Sequence, residues 1–449
     1  MKRTLQDRFI AEDKDMVQEI EHKAEDADHL FQQFRQMQTE KKINVQEFHQ
    51  AKQDLRKRLD VLRDKMDYYL AGEYGIQSRN NKYEKWRESH QPFHWFIEFY
   101  GIMNQGGFDV IIGNPPYVAI KKVGYNFCSS YFKSLVGGNL YNLTMERSYK
   151  IIRQKCYFGM IVPVSLISGE GFIAIARESF KHLSWVSSYS NRPAKLFYGV
   201  EQRLTVLLAK MEDGIVYSSE YQHWYEDERP FLFQGIFYAP TILIKNKFMP
   251  LKVGLDISNS IVKKIYMQSE VICNLIGKSG HGCWYHDGPT YWIRALPFQP
   301  VNNISSRSNH YHFLNCQDKE KGLFLTGLIN SSIFYFHFKV LSNCRDFSIR
   351  EITLFRYPQM NNNVYKKVAE LAYKLGIHLQ KTAKKCIRRY PSGIIEYHEY
   401  YPAHAKPIID EIDHILSKHY GFTDEELDYI INYDIKYRMG LNGLDGGEE

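Results

Sequence analysis

Asn114-Pro115-Pro116-Tyr117 follows directly on Phe108-Asp109-Val110-Ile111-Ile112-Gly113, so a short carboxamide, stiffened carbonyls and an aromatic ring stand at the end of a β-rich apolar run. The two prolines fix φ near about −65° and restrict the residue before each, so the backbone carbonyls are held in place before any ligand arrives. Asn114 adds one acceptor and two donors. Its side-chain oxygen and the Pro115 carbonyl form a pair of acceptors suited to an exocyclic amine such as that of adenine, whose lone pair is delocalised into the ring. Accepting both hydrogens localises that lone pair toward an incoming methyl group without any nucleophilic side chain. Tyr117 offers a face on which a base rotated out of a duplex can stack, contributing roughly 1–3 kcal/mol against an unstacking cost of a few kcal/mol. Taken alone, the tetrapeptide reads first as a proline-stiffened turn. The strand in front of it favours a site, because ligands of open α/β sheets bind at the carboxyl ends of strands.

The elements that must hold this turn are legible around it. Phe108 to Ile112 reads as a strand buried on both faces. Tyr141 to Arg153 reads as a helix, Phe158 to Val162 as a strand ending at Pro163, Glu170 to Leu183 as a helix, and Trp185 to Tyr189 and Arg203 to Lys210 as two more strands. This alternation predicts an α/β fold, with 108–211 forming half of a mainly parallel sheet. Ahead of it, Met16, Ile20, Ala24, Ala27, Phe31 and Phe34 recur at spacings of three and four. Phe48, Ala51, Leu55, Leu59, Leu62, Met66 and Tyr69 keep the same rhythm, with Asn44 and Glu47 resembling a capping box. The two stripes predict an antiparallel helical hairpin. From Gly214 to Pro358 short aromatic runs alternate with Gly, Pro, Asn and Ser, which predicts a separate mixed domain. Val364 to Lys385 and Ala405 to Arg438 return to helical spacing.

Composition narrows the class. The chain has 449 residues, a formal net charge of +7 and 15% aromatic residues, which suits a polyanionic partner and base stacking without requiring either. Seven cysteines at irregular spacings, with no Cys-x-x-Cys pair, point to reduced thiols in a cytoplasmic protein and away from structural zinc. The charged N-terminus and the absence of a run of about 18 apolar residues argue against a secretory signal and a membrane-spanning helix. His94, His281, His286, His310 and His312 lack a carboxylate or cysteine at ligand spacing, so they read as surface or DNA-facing histidines and no metal is expected. No Asp…Glu-x-Lys cluster supports a nuclease.

Phe108 to Tyr117 resembles motif IV of the gamma-class adenine-N6 DNA methyltransferases, specifically the large type IIG-like restriction-modification methylases. Asn139-Leu140-Tyr141 through Glu146 is similar to that family's next helix, and Gly159-Met160-Ile161-Val162-Pro163 to its next strand. Arg192-Pro193-Ala194-Lys195-Leu196-Phe197 with Val200 to Leu208 resembles motif VIII, and Gly327-Leu328-Ile329-Asn330-Ser331-Ser332 and Arg345-Asp346-Phe347 to Tyr357-Pro358 look like the target-recognition domain. The resemblance implies a partial Rossmann-like methyltransferase sheet over 93–213, a mixed α+β target-recognition domain over 214–360, a helical hairpin arm over 1–92 and a C-terminal helical region over 361–449. It implies catalysis at Asn114, Pro115, Pro116 and Tyr117, stacking of the flipped base on Tyr117 and Phe197, and S-adenosylmethionine as donor, touched by Asn114 and Pro115. Lys121 and Lys122 after the pocket, and Arg307, Arg345 and Arg350 in the recognition domain, are the candidate contacts to double-stranded DNA.

One part of the family pattern is missing. In the family a glycine loop and an acidic residue that hold the donor precede motif IV, whereas here the residues before Asp109 read as helical and charged. Gly277-Lys278-Ser279-Gly280-His281-Gly282 follows the sheet, and Val136-Gly137-Gly138 is too short a signal. A central strand without its neighbour would expose unpaired amides and carbonyls, so a second polypeptide carrying the donor-binding half is expected to complete the sheet. The sequence therefore reads as a subunit of a site-specific adenine-N6 DNA methyltransferase in a restriction-modification or phage-defence system. The alternative is a DNA-specificity subunit that keeps the pocket but has lost catalysis.

Overall fold

The structure, a computed structural model, describes residues 14–39, 45–129, 131–244, 248–301, 310–390 and 393–440. It is an α/β protein whose contacts divide into two units: Met1–Val162 with Glu170–Ser184 and Leu207–Gly214, and Pro163–Gly169 with Trp185–Val206 and Ile215–Glu449. The largest sheet has the strand order β1-β2-β4-β3-β5-β6, where β1 is Phe108–Gly113, β2 Ile152–Pro163, β3 His182–Tyr189, β4 Leu204–Asp213, β5 Val216–Gln222 and β6 Ala239–Pro240.

In the first unit, the two apolar stripes become helices α1 (Lys14–Thr39) and α2 (Val45–Glu73), which pack on each other. Ala24, Leu55, Leu62 and Ile97 form their buried seam, the expected consequence of apolar residues at helical period. Phe31 departs from that expectation and is exposed. Asn44, and with it the proposed capping box, lies outside the described residues. Asn80 caps α3 (Asn81–His90) by accepting from the amides of Lys82 and Tyr83. The buried Asp67 on α2 accepts from Arg87 Nε at 3.0 Å and meets His94 Nε2 at 2.7 Å. His94 is therefore a buried tie between elements, a correction to its reading as a surface histidine.

Short helical turns over Trp95–Glu98 and Tyr100–Asn104 lead into β1. Gly107 makes that entry possible: its φ is +119°, and a Cβ there would stand 2.3 Å from the Ile151 carbonyl. β1 pairs in parallel with β2, Val110 opposite Tyr157 and Gly113 opposite Met160, with an irregularity between Phe108 and Val110. The expectation of a strand buried on both faces is overturned, since Val110 is 57% and Ile112 80% exposed. The reason is topological. β1 is the first strand of the order, and side chains on alternate positions look to opposite faces, so Val110 and Ile112 share a face that no described residue covers fully.

Between these strands, α4 (Leu140–Ile151) lies on the sheet and stacks Tyr149 on Phe158 at 4.5 Å. The helix expected from Glu170 to Leu183 is shorter, with α5 spanning Ile173–Ser179, because the β-prone run from His182 is taken by β3.

The second unit holds β5 with its antiparallel partner β6 and a three-stranded antiparallel sheet in the order β8-β7-β9, with β7 Gly282–His286, β8 Ala295–Leu296 and β9 Tyr311–Asn315. Helices α6 (Asp256–Tyr266), α7 (Lys319–Asn330) and α8 (Ser332–Leu341) interrupt the stretch expected to lack helical period. Every residue of α8 is buried, Ser332, His337 and Lys339 included, and a helix enclosed all round shows no amphipathic stripe to read. Gly322 on α7 meets β7 backbone to backbone, since its Cβ would lie 3.0 Å from Gly282 Cα. Asn330 at the end of α7 accepts from the Ala295 amide and donates to the Ala295 carbonyl, standing in for a neighbouring strand along β8.

After α9 (Asn362–Lys381) the helical spacing expected to reach Lys385 gives way to a β-hairpin, β10 (Lys384–Tyr390) and β11 (Gly393–Glu399). The chain then returns through α10 (Lys406–Tyr420) and α11 (Asp424–Asn432). Among the described residues no helix is long and apolar enough to cross a membrane.

Candidate active site

The chain leaves β1 at Gly113 and turns through Asn114 to Tyr117. Pro115 is buried and anchors the turn, Tyr117 is half-buried, and Asn114 and Pro116 face solvent. The Tyr117 hydroxyl lies 2.5 Å from Oδ1 of Asn114 and 2.8 Å from the Ile161 carbonyl on β2. A phenol has one proton, which these two acceptors share. Burial pushes the Tyr117 phenol up to about 12, so it stays protonated at physiological pH and keeps donating. The carboxamide is thus held by a ring that is itself fixed to the neighbouring strand.

The segment after the turn is tied to the start of α4. Leu140 N donates to the Val118 carbonyl and Ile120 N to the Gly138 carbonyl, both at 2.9 Å. Gly137 permits this approach, since a Cβ there would fall 1.9 Å from Asn142 Nδ2. Lys121 and Lys122 lie in the single helical turn Ile120–Lys122, and both are exposed directly beyond the turn. Glu146 on α4 has a role the sequence did not show. Its carboxylate accepts from the Ser134 amide at 2.9 Å, the Ser134 hydroxyl at 2.8 Å and the Lys133 amide at 3.1 Å. Burial alone would raise its pKa; these bonds and Lys150 hold it below the ordinary range. The only sequence signal for this clamp was an acidic residue on the otherwise buried face of a helix.

Phe197 lies in the loop between β3 and β4, half-buried, and not at the start of a strand. Arg229 braces that loop: it donates to the Leu196 carbonyl at 3.1 Å and to that of Lys195, and its guanidinium stands 4.9 Å from the ring centre of the exposed Tyr198. Phe197 belongs to the second unit and Asn114 to Tyr117 to the first.

Arg345 is exposed and lines a cavity of about 790 Å³ with Arg192, Arg203, Asp287, His310 and His312. His310 Nδ1 and His312 Nε2 meet the two oxygens of Asp287 at 2.8 and 3.0 Å. Burial works to raise the Asp287 pKa, and the two histidine hydrogen bonds more than offset it. His310, His312 and His281 are exposed, whereas His286 is largely enclosed, and burial with Arg294 beside it pushes its imidazole down to about 3. Arg350 is committed elsewhere: it donates to Glu351 Oε1 at 2.8 Å and to the Ser168 carbonyl at 2.6 Å, so it fastens the chain rather than reaching outward. Arg307 lies outside the described residues. Among the described residues no group of three or more His, Cys, Asp or Glu side chains is placed to hold a metal ion.

Residues 16–197 match the family model of the Eco57I restriction-modification methylase. This methylase-like segment contains α1 to α5, β1 to β3 and the turn Asn114 to Tyr117. A putative type II restriction enzyme and methyltransferase of Methanocaldococcus jannaschii, RM.MjaORFECS2P, is 30% identical over 149 residues, 28% of this chain and 12% of that protein. The type II restriction enzyme and methyltransferase RM.Eco57I of Escherichia coli is 23% identical over 330 residues, 65% of this chain. The chain spans 30% of the length of that second relative. Among solved structures, the ATP-dependent Type ISP restriction-modification enzyme LlaBIII bound to DNA aligns with 79% of this chain and 38% of its own, at 10% identity and a TM-score of 0.33.

Proposed function

We propose that this chain supplies the target-base pocket and the DNA-recognition part of a site-specific adenine-N6 DNA methyltransferase, in a restriction-modification or phage-defence system. The observation that carries the reading is the Asn114 carboxamide, exposed at the carboxyl end of β1 and oriented by Tyr117, within the segment that matches the methylase family. Turning that carboxamide end for end lets Nδ2 donate to the phenol oxygen and the phenol donate to Ile161, so each donor has its own acceptor. Oδ1 is then free to accept one N6 hydrogen of an extruded adenine, and the Pro115 carbonyl accepts the other. Tyr117 provides a face for the flipped base. Lys121, Lys122 and Arg345 provide positive charge for the DNA backbone.

S-adenosylmethionine, when bound, supplies an electrophilic methyl group. The residues present fit only the rim of its site. Asn114 and Pro115 stand at the carboxyl end of β1, the outermost strand of its sheet among the described residues, and the described residues ahead of β1 from Asn81 to Asn104 are mostly helical. The body of the donor site is therefore assigned to a second polypeptide that continues the sheet at β1, covering Val110 and Ile112. Exposed apolar residues on an edge strand are the features such pairing removes.

The test combines the chain, the candidate partner, duplex DNA and isotopically labelled donor, with nucleosides analysed by mass spectrometry. N6-methyladenine is expected only when both polypeptides are present, with no donor binding by this chain alone in calorimetry. Micromolar donor affinity of the chain alone overturns the division of labour, and a product confined to cytosine overturns the chemistry. A complex that binds DNA tightly yet forms no product points instead to a specificity subunit.

A further inference from the structure

The hairpin β10–β11 is a two-stranded ribbon in full register from Lys384 opposite Glu399 to Tyr390 opposite Gly393. An isolated ribbon of this kind is at best marginally stable in water, because neither face is packed. Here its root is held: His398 N donates to the Val301 carbonyl at 3.0 Å, and Tyr401 donates to Glu399 Oε2 at 2.6 Å. Beyond the root, Ile387 and Ile394 share one face and are 53% and 57% exposed, while on the other face Arg388 is exposed and Cys386, Ile395 and Tyr397 are half-buried.

Charge is distributed unevenly along it. Glu399 lies at the root opposite Lys384, and Glu396 lies mid-ribbon opposite Ile387, in an ion pair with Lys385 at 3.0 Å. The outer three rungs, Arg388 to Tyr390 with Gly393 to Ile395, contain Arg388 and Arg389 and no carboxylate, and Glu396 stands on the next rung in, opposite Ile387. Adjacent residues of a strand point to opposite faces, so each face of the tip carries one arginine. Arg388 lies 5.5 Å from the Tyr397 ring centre, which extends it along its face. A thin ribbon with a guanidinium on each side matches a slot walled on both sides by phosphates. Neither an apolar protein surface nor a one-sided anion explains arginines on both faces.

We propose that this hairpin is a DNA-binding wing, whose outer rungs enter a groove of duplex DNA so that Arg388 and Arg389, on opposite faces, neutralise phosphates of the two backbones that wall it. The inference rests on the reading of the chain as a DNA-modifying protein and adds a contact surface outside its methylase-like segment.

The experiment measures binding of the full-length chain to duplex DNA by fluorescence anisotropy across a salt series, for wild type and for Arg388→Gln with Arg389→Gln. Each neutralised phosphate contributes about 0.9 to the slope of log affinity against log salt. The double variant is expected to lower that slope by about 1.8 and to weaken binding by about ten-fold or more at low salt. A control pair, Lys263→Gln with Lys264→Gln on α6, is expected to leave the slope unchanged, and thermal melting confirms that each variant is folded. If wild type binds DNA and the arginine variant keeps its slope, the wing is refuted while the DNA reading stands. If wild type shows no salt-dependent DNA binding, both fall. Loss of association with the partner polypeptide at unchanged DNA slope assigns the ribbon to protein contact and also refutes the wing.

Discussion

Asn114→Ala is expected to abolish methylation by the reconstituted complex while barely altering its affinity for duplex DNA. The asymmetry follows from where the carboxamide acts. Its oxygen meets the amine only once a base has left the stack, and most of the DNA affinity comes from phosphate contacts elsewhere. Removing one preorganised polar group aimed at developing charge typically costs about 10²–10³ in rate, and here the same group also localises the nucleophilic lone pair. Alanine leaves both prolines and the Tyr117–Ile161 bond in place, so the turn keeps its shape. Tyr117→Phe is the companion: it keeps the ring and removes the hydroxyl that orients Asn114, and a loss of roughly ten-fold is expected, the size of one net hydrogen bond. Single-turnover methylation and anisotropy on the same preparations decide the matter. An unchanged methylation rate for Asn114→Ala refutes the catalytic role, and a parallel fall in DNA affinity shows that the residue supports the DNA surface instead.

How far the sequence spoke depended on whether a residue's role was local. Asn114 to Tyr117 was legible because prolines restrict backbone wherever they stand, and because the strand before them is a run of β-prone residues. The two long helices were legible because one face of each is solvated, which leaves a period. α8 was illegible for the opposite reason, since Ser332 to Leu341 is buried on every side. Exposure of Val110 and Ile112 could not be read from composition, because an apolar strand looks the same whether its neighbour is present or missing. The missing donor-binding pattern upstream pointed to an open backbone edge along this strand, not to the exposure of its side chains. Lys384 and Lys385 carry on the spacing of the helix before them and so read as its end, whereas the structure gives them to β10. Roles built from distant partners left no trace: Asp67 with His94, Glu146 with the loop at Ser134, and Arg350 with Ser168 are each pairings across many residues.

Arg438→Met is expected to cost about 3–5 kcal/mol of unfolding free energy, because it removes one partner of a buried charged cluster and leaves the other. The Arg438 guanidinium stands 4.0 Å from the centre of the Trp292 ring and 4.6 Å from that of Tyr335, and Trp292 donates to the Arg438 carbonyl at 2.8 Å. Asp413 on α10, also buried, accepts from the Ser332 amide with both oxygens, while Arg438 reaches the Ser332 hydroxyl at 3.4 Å. The start of α8 is thereby held between a carboxylate and a guanidinium. Burial pushes the Asp413 carboxyl up to about 7, against the pull of Ser332 and Arg438. Its folded pKa lies above its unfolded value near about 4, so the folded state binds the extra proton between these values, and stability should fall as pH rises from about 4 to about 7 and then level off. Without Arg438 the ionised carboxylate loses its compensation, so the Met variant should be hit harder at pH 8 than at pH 5. Adding Asp413→Asn keeps an acceptor for the Ser332 amide and removes the charge, so the double variant should recover part of the loss and flatten the pH dependence. Denaturant unfolding of the four proteins at the two pH values measures the coupling. A Met variant within about 1 kcal/mol of wild type, or a double variant no more stable than Arg438→Met alone, shows that the aromatic packing and not the charge pair holds this end of the helix.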